Sequence, residues 1–316
     1  VSVLPRVLDV VADRAVVPGY TKLGFLLRRR FWDPLPPDAL RGKVVVITGA
    51  NSGLGKAAAT GMARLGAEVR LVVRDPQRGE RAKADILAEV PGAALRVDRC
   101  DVSDLDDVRR FAATVSELDV LVHNAGTMPA ARAETTQGNE LTLATHVLGP
   151  HLLTGLLVPV LREGVPGRVI FVSSGGMYTQ PLRVDDPQYR EGEYNGTKAY
   201  ARTKRMQVVL ALLWGRRLEC DGITVHSTHP GWAATPGVTG SLPGFAKVMG
   251  PLLRDAGQGA DTVIWLAAAE EGGRPETTGR FWHDRAPRPA HYLPRTRETA
   301  AQRDALWQFC EERTRR

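Results

Sequence analysis

Tyr200 and Lys204 stand four residues apart in YARTK, and Ser174 lies upstream in VSSGG. Residues at i and i+4 share one helix face, so this spacing sets an ammonium beside a phenol. A free phenol, with a pKa of about 10, is a poor base at neutral pH, and a neighbouring cation favours its ionised form. Such a pair can give a proton to a carbonyl oxygen or take one from an alcohol. Ser174 follows the predicted strand Arg168–Val172 and can hydrogen-bond the same oxygen, stabilising developing negative charge. A second Tyr-x3-Lys, Tyr194 and Lys198 in YNGTK, competes for the role. Gly196 disfavours a regular helix there, and the long helical stretch is expected from residue 200 to 217. Tyr194 is therefore expected in a loop lining the pocket.

Far upstream, residues 43–48 (KVVVIT) form a β-branched run of the kind buried on both faces of a parallel sheet. Gly49, Gly53 and Gly55 follow at once, and residues 56–64 have helix composition. A strand, a glycine turn and a helix together present unpaired backbone N–H groups to which a pyrophosphate can bind. Thr48, Gly49, Asn51, Ser52, Gly53, Leu54 and Gly55 are the candidate cofactor residues of this turn. Their G-x3-G-x-G spacing differs from G-x-G-x-x-G, and an ordinary glycine-rich βα turn carries the same glycines. The next strand, Glu68–Val73, ends at Arg74, about where the second strand of a dinucleotide fold meets the adenosine ribose. An acidic residue at that tip would suit NAD(H). Arg74 can pair with a 2′-phosphate, with Lys56 or Arg78 adding charge, which favours NADP(H) over NAD(H). A solvated loop arginine is the alternative. Glycine turn, serine and Tyr-x3-Lys, in that order within one α/β pattern, describe a nicotinamide-dependent oxidoreductase.

From about residue 43 to 284 the chain resembles the short-chain dehydrogenase/reductase superfamily. The resemblance implies that Asp101 and Val102 flank the adenine ring. It implies that Asn124, Ala125 and Gly126 follow the fourth strand, with Asn124 bracing the sheet and Gly126 leaving the cofactor room. Pro230 and Gly231 match the motif after the sixth strand, and Thr235 falls where the family contacts the nicotinamide carboxamide. It favours Ser174 over Ser173 and gives Lys204 a further contact with the nicotinamide ribose. Residues 173–177, 229–238, 258–262 and 279–287 are similar to the subfamily called dehydrogenase/reductase member 12, which places the catalytic pair on YARTK. One departure stands out. Where the family commonly has an Asn that holds a water leading from the lysine to solvent, this sequence has His146. A histidine there can hold a water and relay protons near neutral pH, or can distort that relay. His151 is expected on a helix face.

These residues need a scaffold. Apolar strand runs alternate with helical stretches over 316 residues, which predicts an α/β fold, a single-domain Rossmann-type doubly wound parallel sheet. The expected division is an N-terminal extension (1–42), a dinucleotide-binding and catalytic domain (43–285), and a C-terminal tail or helix (286–316). No repeat and no run of eighteen apolar residues is present in the sequence. Cys100, Cys220 and Cys310, odd in number and widely spaced, imply neither a disulfide framework nor a metal, and suit a reducing, cytoplasmic compartment. The charge of +7 comes from scattered arginines, and aromatics make up only 6%, so no nucleic-acid partner is expected.

Residues 24–32 join an apolar cluster to three arginines. This segment could lie on an anionic membrane surface, cap the substrate pocket, or pack on the domain. No signal-peptide pattern is read at the start. Residues 178–193 are expected to wall the pocket. Residues 236–255 fall where the family carries its substrate loop, and Val238, Leu242, Phe245, Val248, Met249 and Leu252 there point to a lipophilic substrate. A homodimer is compatible with the family pattern. A cofactor-binding protein without turnover and a membrane-associated scaffold are the competing functions.

Overall fold

The computed structural model describes residues 9, 13, 17–164, 166–234, 247 and 249–315. Eight strands form one sheet: β1 (Val44–Thr48), β2 (Glu68–Val73), β3 (Leu95–Arg99), β4 (Val120–His123), β5 (Arg168–Val172), β6 (Thr224–Thr228), β7 (Phe281–His283) and β8 (Ala286–Arg288). Their order is β3-β2-β1-β4-β5-β6-β7-β8. Every pairing is parallel except the closing β7–β8 hairpin. The order reverses between β1 and β4, and that switch point opens a crevice at the carboxyl ends of the strands.

The helices used below are α1 (Lys22–Arg29), α2 (Gly53–Arg64), α3 (Pro76–Glu89), α4 (Leu105–Ala112), α5 (Leu141–Glu163), α6 (Gly196–Leu218), α7 (Ala256–Ala268) and α8 (Ala300–Thr314). Alternation along the strands sends successive side chains to opposite faces and builds two cores. Val46, Leu121, Val169 and Phe171 pack with residues of α4, α5, α6 and α8 on one face. Val45, Ile47, Val122 and Ile170 pack with Ala58, Met62, Ile86 and Leu266 on the other. The tail from residue 286 onward thus adds β8 and α8 to the same body, with Leu306 and Cys310 fully buried. Among the described residues, one helix is long and apolar enough to cross a membrane. It is α5, and 83% of its apolar window is buried in the protein.

One expected boundary moves. The helix expected from residue 200 begins at Gly196, because Asn195 caps it by accepting from the Lys198 N–H at 2.9 Å. Glycine at this first turn is required by contact: a Cβ there would lie 2.1 Å from the Pro129 carbonyl oxygen.

The N-terminal extension is held by buried charges. Arg28 donates to Asp284 (2.6 Å), to Asp9 (2.7 Å) and to the Gly19 carbonyl (2.7 Å). Arg254 donates to both oxygens of Asp284, at 2.6 and 2.8 Å, and to the Thr21 carbonyl at 3.2 Å. Tyr20 packs edge-on against His229, with ring centroids 4.4 Å apart, and its carbonyl accepts from the Trp232 N–H.

Candidate active site

A cleft of about 540 Å³ lies over the switch point. Each wall is a strand end: Gly49 after β1, Arg74 after β2, Asp101 and Val102 after β3, Asn124 to Gly126 after β4, Ser174 after β5 and Pro230 to Ala233 after β6. Tyr200 and Lys204 enter from α6.

At the phosphate end, Thr48 Oγ1 accepts from the Asn124 and Ala125 N–H groups, and Asn124 Nδ2 donates to the Thr48 and Gly49 carbonyls. This stitches β1 to β4, the bracing expected of Asn124. Gly55 permits the close approach, since a Cβ there would lie 2.4 Å from Asn124 Nδ2. Side chains of Asp75, Asp104, Asn195, Asp255 and Thr299 cap α3, α4, α6, α7 and α8. Ser52 makes no such bond to α2, whose first residues, Gly53 and Leu54, face the cleft with Asn51 and Ser52. Helix N–H groups left without an internal partner form an anion site. The residues fit a dinucleotide pyrophosphate.

Arg74 is exposed at the cleft rim. Asp75 is turned away, its carboxylate accepting from the Gln77 and Arg78 N–H groups. Lys56 is committed to Asp85 at 2.5 Å. Asp101 holds its own turn by accepting from both Ser103 donors. Thr235 lies outside the described residues, as does most of the stretch 236–255 on which the apolar-loop expectation rested.

At the other end, the structure brings Ser174, Tyr200 and Lys204 together. The Lys204 ammonium is 5.4 Å from the Tyr200 ring centre and donates to the Val172 carbonyl at 2.8 Å. Burial raises the Tyr200 phenol above its ordinary pKa, and a hydrogen bond with Ser174 opposes this. The net shift is upward, against the direction expected from the lysine alone. Burial likewise lowers Lys204 to about 7. Ser173 is occupied, donating to the Lys204 carbonyl at 2.8 Å. Tyr194 sits in a loop, but its hydroxyl bonds Glu140 (2.9 Å) and Thr142 (3.3 Å), and it does not line the cleft.

His146 stands edge-on to Tyr200 with ring centroids 5.4 Å apart, and it is wholly buried. Its Nε2 accepts from the Thr127 N–H at 3.0 Å, so the proton sits on Nδ1, which meets Thr203 Oγ1 at 2.8 Å. Burial, assisted by Lys204, holds its pKa well below the usual value. Both nitrogens are thus engaged, and burial disfavours the protonated ring near pH 7. His151 packs against Trp214 and Trp307, away from the cleft.

The sequence reading missed Gln207, wholly buried and bonded to Lys204 Nζ at 3.0 Å. The available signal was position: it follows Lys204 by three residues, on the same helix face. It also missed Tyr20 and Trp232, by which the extension abuts the cleft.

A family model described as short chain dehydrogenase matches residues 43–243. The chain belongs to the short-chain dehydrogenase family. It is 41% identical over 304 residues to dehydrogenase/reductase SDR family member 12 of Bos taurus, covering 94% of each chain. It is 36% identical over 251 residues to retinol dehydrogenase 12 of the same species, covering 78% of each. A crystal structure of an uncharacterized protein from Mycobacterium paratuberculosis superposes with a TM-score of 0.71 at 32% identity, over 89% of this chain and 96% of that one. Membership in this short-chain family makes the chain an oxidoreductase of the nicotinamide-binding type.

Proposed function

We propose that this short-chain dehydrogenase uses NADP(H) to interconvert a lipophilic carbonyl compound and its alcohol. The observation that carries the reading is the meeting of Ser174, Tyr200 and Lys204 in one cleft with the uncapped N-terminus of α2. The cofactor, when bound, supplies or accepts the hydride. Tyr200 passes the proton at the substrate oxygen, and Ser174 hydrogen-bonds that oxygen and supports its negative charge. Lys204, when protonated, draws the phenol toward ionisation and also holds the nicotinamide ribose. His146 orients Thr127 and Thr203 around this group and takes no proton itself. Asp101, Val102, Asn124, Ala125, Gly126, Pro230, Gly231 and Thr235 keep the cofactor roles given by the family pattern.

For the phosphate, Arg74 is exposed at the β2 tip while Asp75 is used as a helix cap, so no carboxylate faces the ribose there. For the substrate, Trp232, Met128 and Leu141 on the cleft wall support an apolar ligand. A relative named retinol dehydrogenase points the same way, since retinol is a lipophilic alcohol. Fluorescence titration with NADPH and NADH tests the cofactor. NADPH should bind tighter, and Arg74→Ala should weaken it about tenfold, the loss of one charge-assisted bond, with NADH unchanged. Equal weakening of both would overturn the phosphate role.

A second reading concerns location. Helix α1 buries Gly24, Phe25 and Arg28 and turns Leu23, Leu26 and Leu27 outward, with Phe31 just beyond. Lys22, Arg29 and Arg30 are exposed beside them. This inverted face supports peripheral contact with an anionic membrane.

A further inference from the structure

Gln207 lies on α6 three residues beyond Lys204, is wholly buried, and is bonded at both ends of its amide. Nε2 donates to the His146 carbonyl at 2.9 Å, and Oε1 accepts from Lys204 Nζ at 3.0 Å. The orientation is forced. A carbonyl only accepts and an ammonium only donates, so a flipped amide would lose both bonds.

The His146 carbonyl is available because α5 does not consume it in the regular way. Its partner four residues on would be Pro150, which has no N–H. Over Ala144–Leu148 the helix widens into a π turn, with the Gly149 N–H reaching back to the Ala144 carbonyl. Local widening of this kind sets a carbonyl free for another partner. Here that partner is Gln207, whose oxygen is thereby aimed at the lysine.

We propose that Gln207 is a positioning residue. It fixes the Lys204 ammonium between the Val172 carbonyl and its own amide oxygen, leaving the third Nζ–H for the cleft. It also closes the side of Lys204 that faces α5. Lys204 is 3% exposed, and Gln207 and His146 are not exposed at all. The side-chain amide spans the gap between ammonium and carbonyl and does not pass a proton as a water would. Protons for the Tyr200–Lys204 pair therefore arrive through the cleft mouth and not through α5.

The inference rests on the reading of Lys204 as partner of Tyr200, and its test needs no turnover. The full chain, without cofactor, is labelled with 13Cε-lysine and titrated by NMR, the Lys204 signal being assigned by its loss in Lys204→Arg. The titratable groups facing Lys204 are Tyr200 on its own helix and His146 from α5, so the series is repeated in Tyr200→Phe to remove coupling to the phenol. Gln207→Met deletes an acceptor that favours the charged form and should lower the Lys204 midpoint. Gln207→Glu adds a negative charge and should raise it. Each shift should be about half a pH unit or more. Gln207→Asn, too short to reach both partners, provides a milder variant and should also lower the midpoint. Near-UV circular dichroism confirms that each variant is folded. Folded variants with an unmoved midpoint, or with Met and Glu shifting it the same way, would reduce Gln207 to core filling. NADPH fluorescence on the same samples keeps the two ideas separate: a wild type that binds no NADPH overturns the proposed NADP(H)-dependent function and leaves the clamp result standing.

Discussion

In the proposed reaction Tyr200 is the residue on which the chemistry turns, and its surroundings make a specific demand. Burial raises the phenol's pKa, so without the lysine's charge it stays protonated, ready to donate and poor at accepting. Replacing it with Phe removes the acid/base group while keeping the ring that packs near His146. Tyr200→Phe should lower kcat/KM on a lipophilic ketone by about two to four orders of magnitude, with NADPH affinity nearly unchanged. Steady-state kinetics beside a fluorescence titration checks this. A variant that keeps full turnover would move the acid/base role elsewhere. The Tyr200 and Lys204 pairing was legible because its spacing is local, and Ser174 joined it through the family pattern. The state of His146 was not, because its two nitrogens are fixed by Thr127 and Thr203, donors and acceptors from distant segments. A residue type names a capacity, and only its partners decide whether the capacity is used.

At the scale of elements, β1, β2 and β5 were legible because β-branched runs buried on both faces have few alternatives. The start of α6 was not, since Gly196 reads as a breaker until Asn195 and the Pro129 carbonyl are seen around it. Nor was the clamp that joins α1, the segment after β6 and the β7–β8 turn. Arg254 and Asp284 are each almost wholly buried and bonded through both carboxylate oxygens. Burial would raise the Asp284 pKa, but the charges of His283, Arg254 and Arg28 outweigh it and hold the carboxyl well below its usual range. Burial lowers His283 to about 4, so the two arginines act at neutral pH. Removing one partner leaves a buried charge uncompensated. Arg254→Met should destabilise the protein by about 3–5 kcal/mol, read as a lower midpoint in urea. The pH dependence has a definite sign. A depressed carboxyl pKa adds stability above about pH 4 that is lost as pH falls through the folded value. Urea midpoints at pH 7 and pH 3 should therefore differ less in Asp284→Asn than in the wild type. An equal difference would place the acid sensitivity in other carboxylates.

Across the whole molecule, alternating strand and helix signals determine one doubly wound sheet, and the site falls at its switch point by topology. The extension is different. Its composition, apolar residues beside arginines, was compatible with packing, capping or membrane contact, and tertiary structure buries some of its residues and exposes others. Tyr20 and Phe25 pack inward and Arg28 joins the buried clamp, while Leu23 and Phe31 remain 59% and 55% exposed. The clamp makes α1 a fixed platform, and the Tyr20–Trp232 bond sets it beside the cleft rim. A lipophilic substrate partitioned in a bilayer would then meet the cleft at the membrane surface. Burying a leucine contributes about 1.5–3 kcal/mol, and each lysine or arginine near an anionic surface about 1 kcal/mol. The double variant Leu23→Asp, Leu27→Asp should thus lose at least about tenfold in co-sedimentation with phosphatidylserine vesicles, and salt should weaken wild-type binding. Both side chains point to solvent, so the urea midpoint should stay unchanged. Vesicle binding equal in variant and wild type would sink the membrane reading. Loss of a concentration-dependent mass in light scattering, with no vesicle binding by either protein, would assign the face to a second copy of this chain.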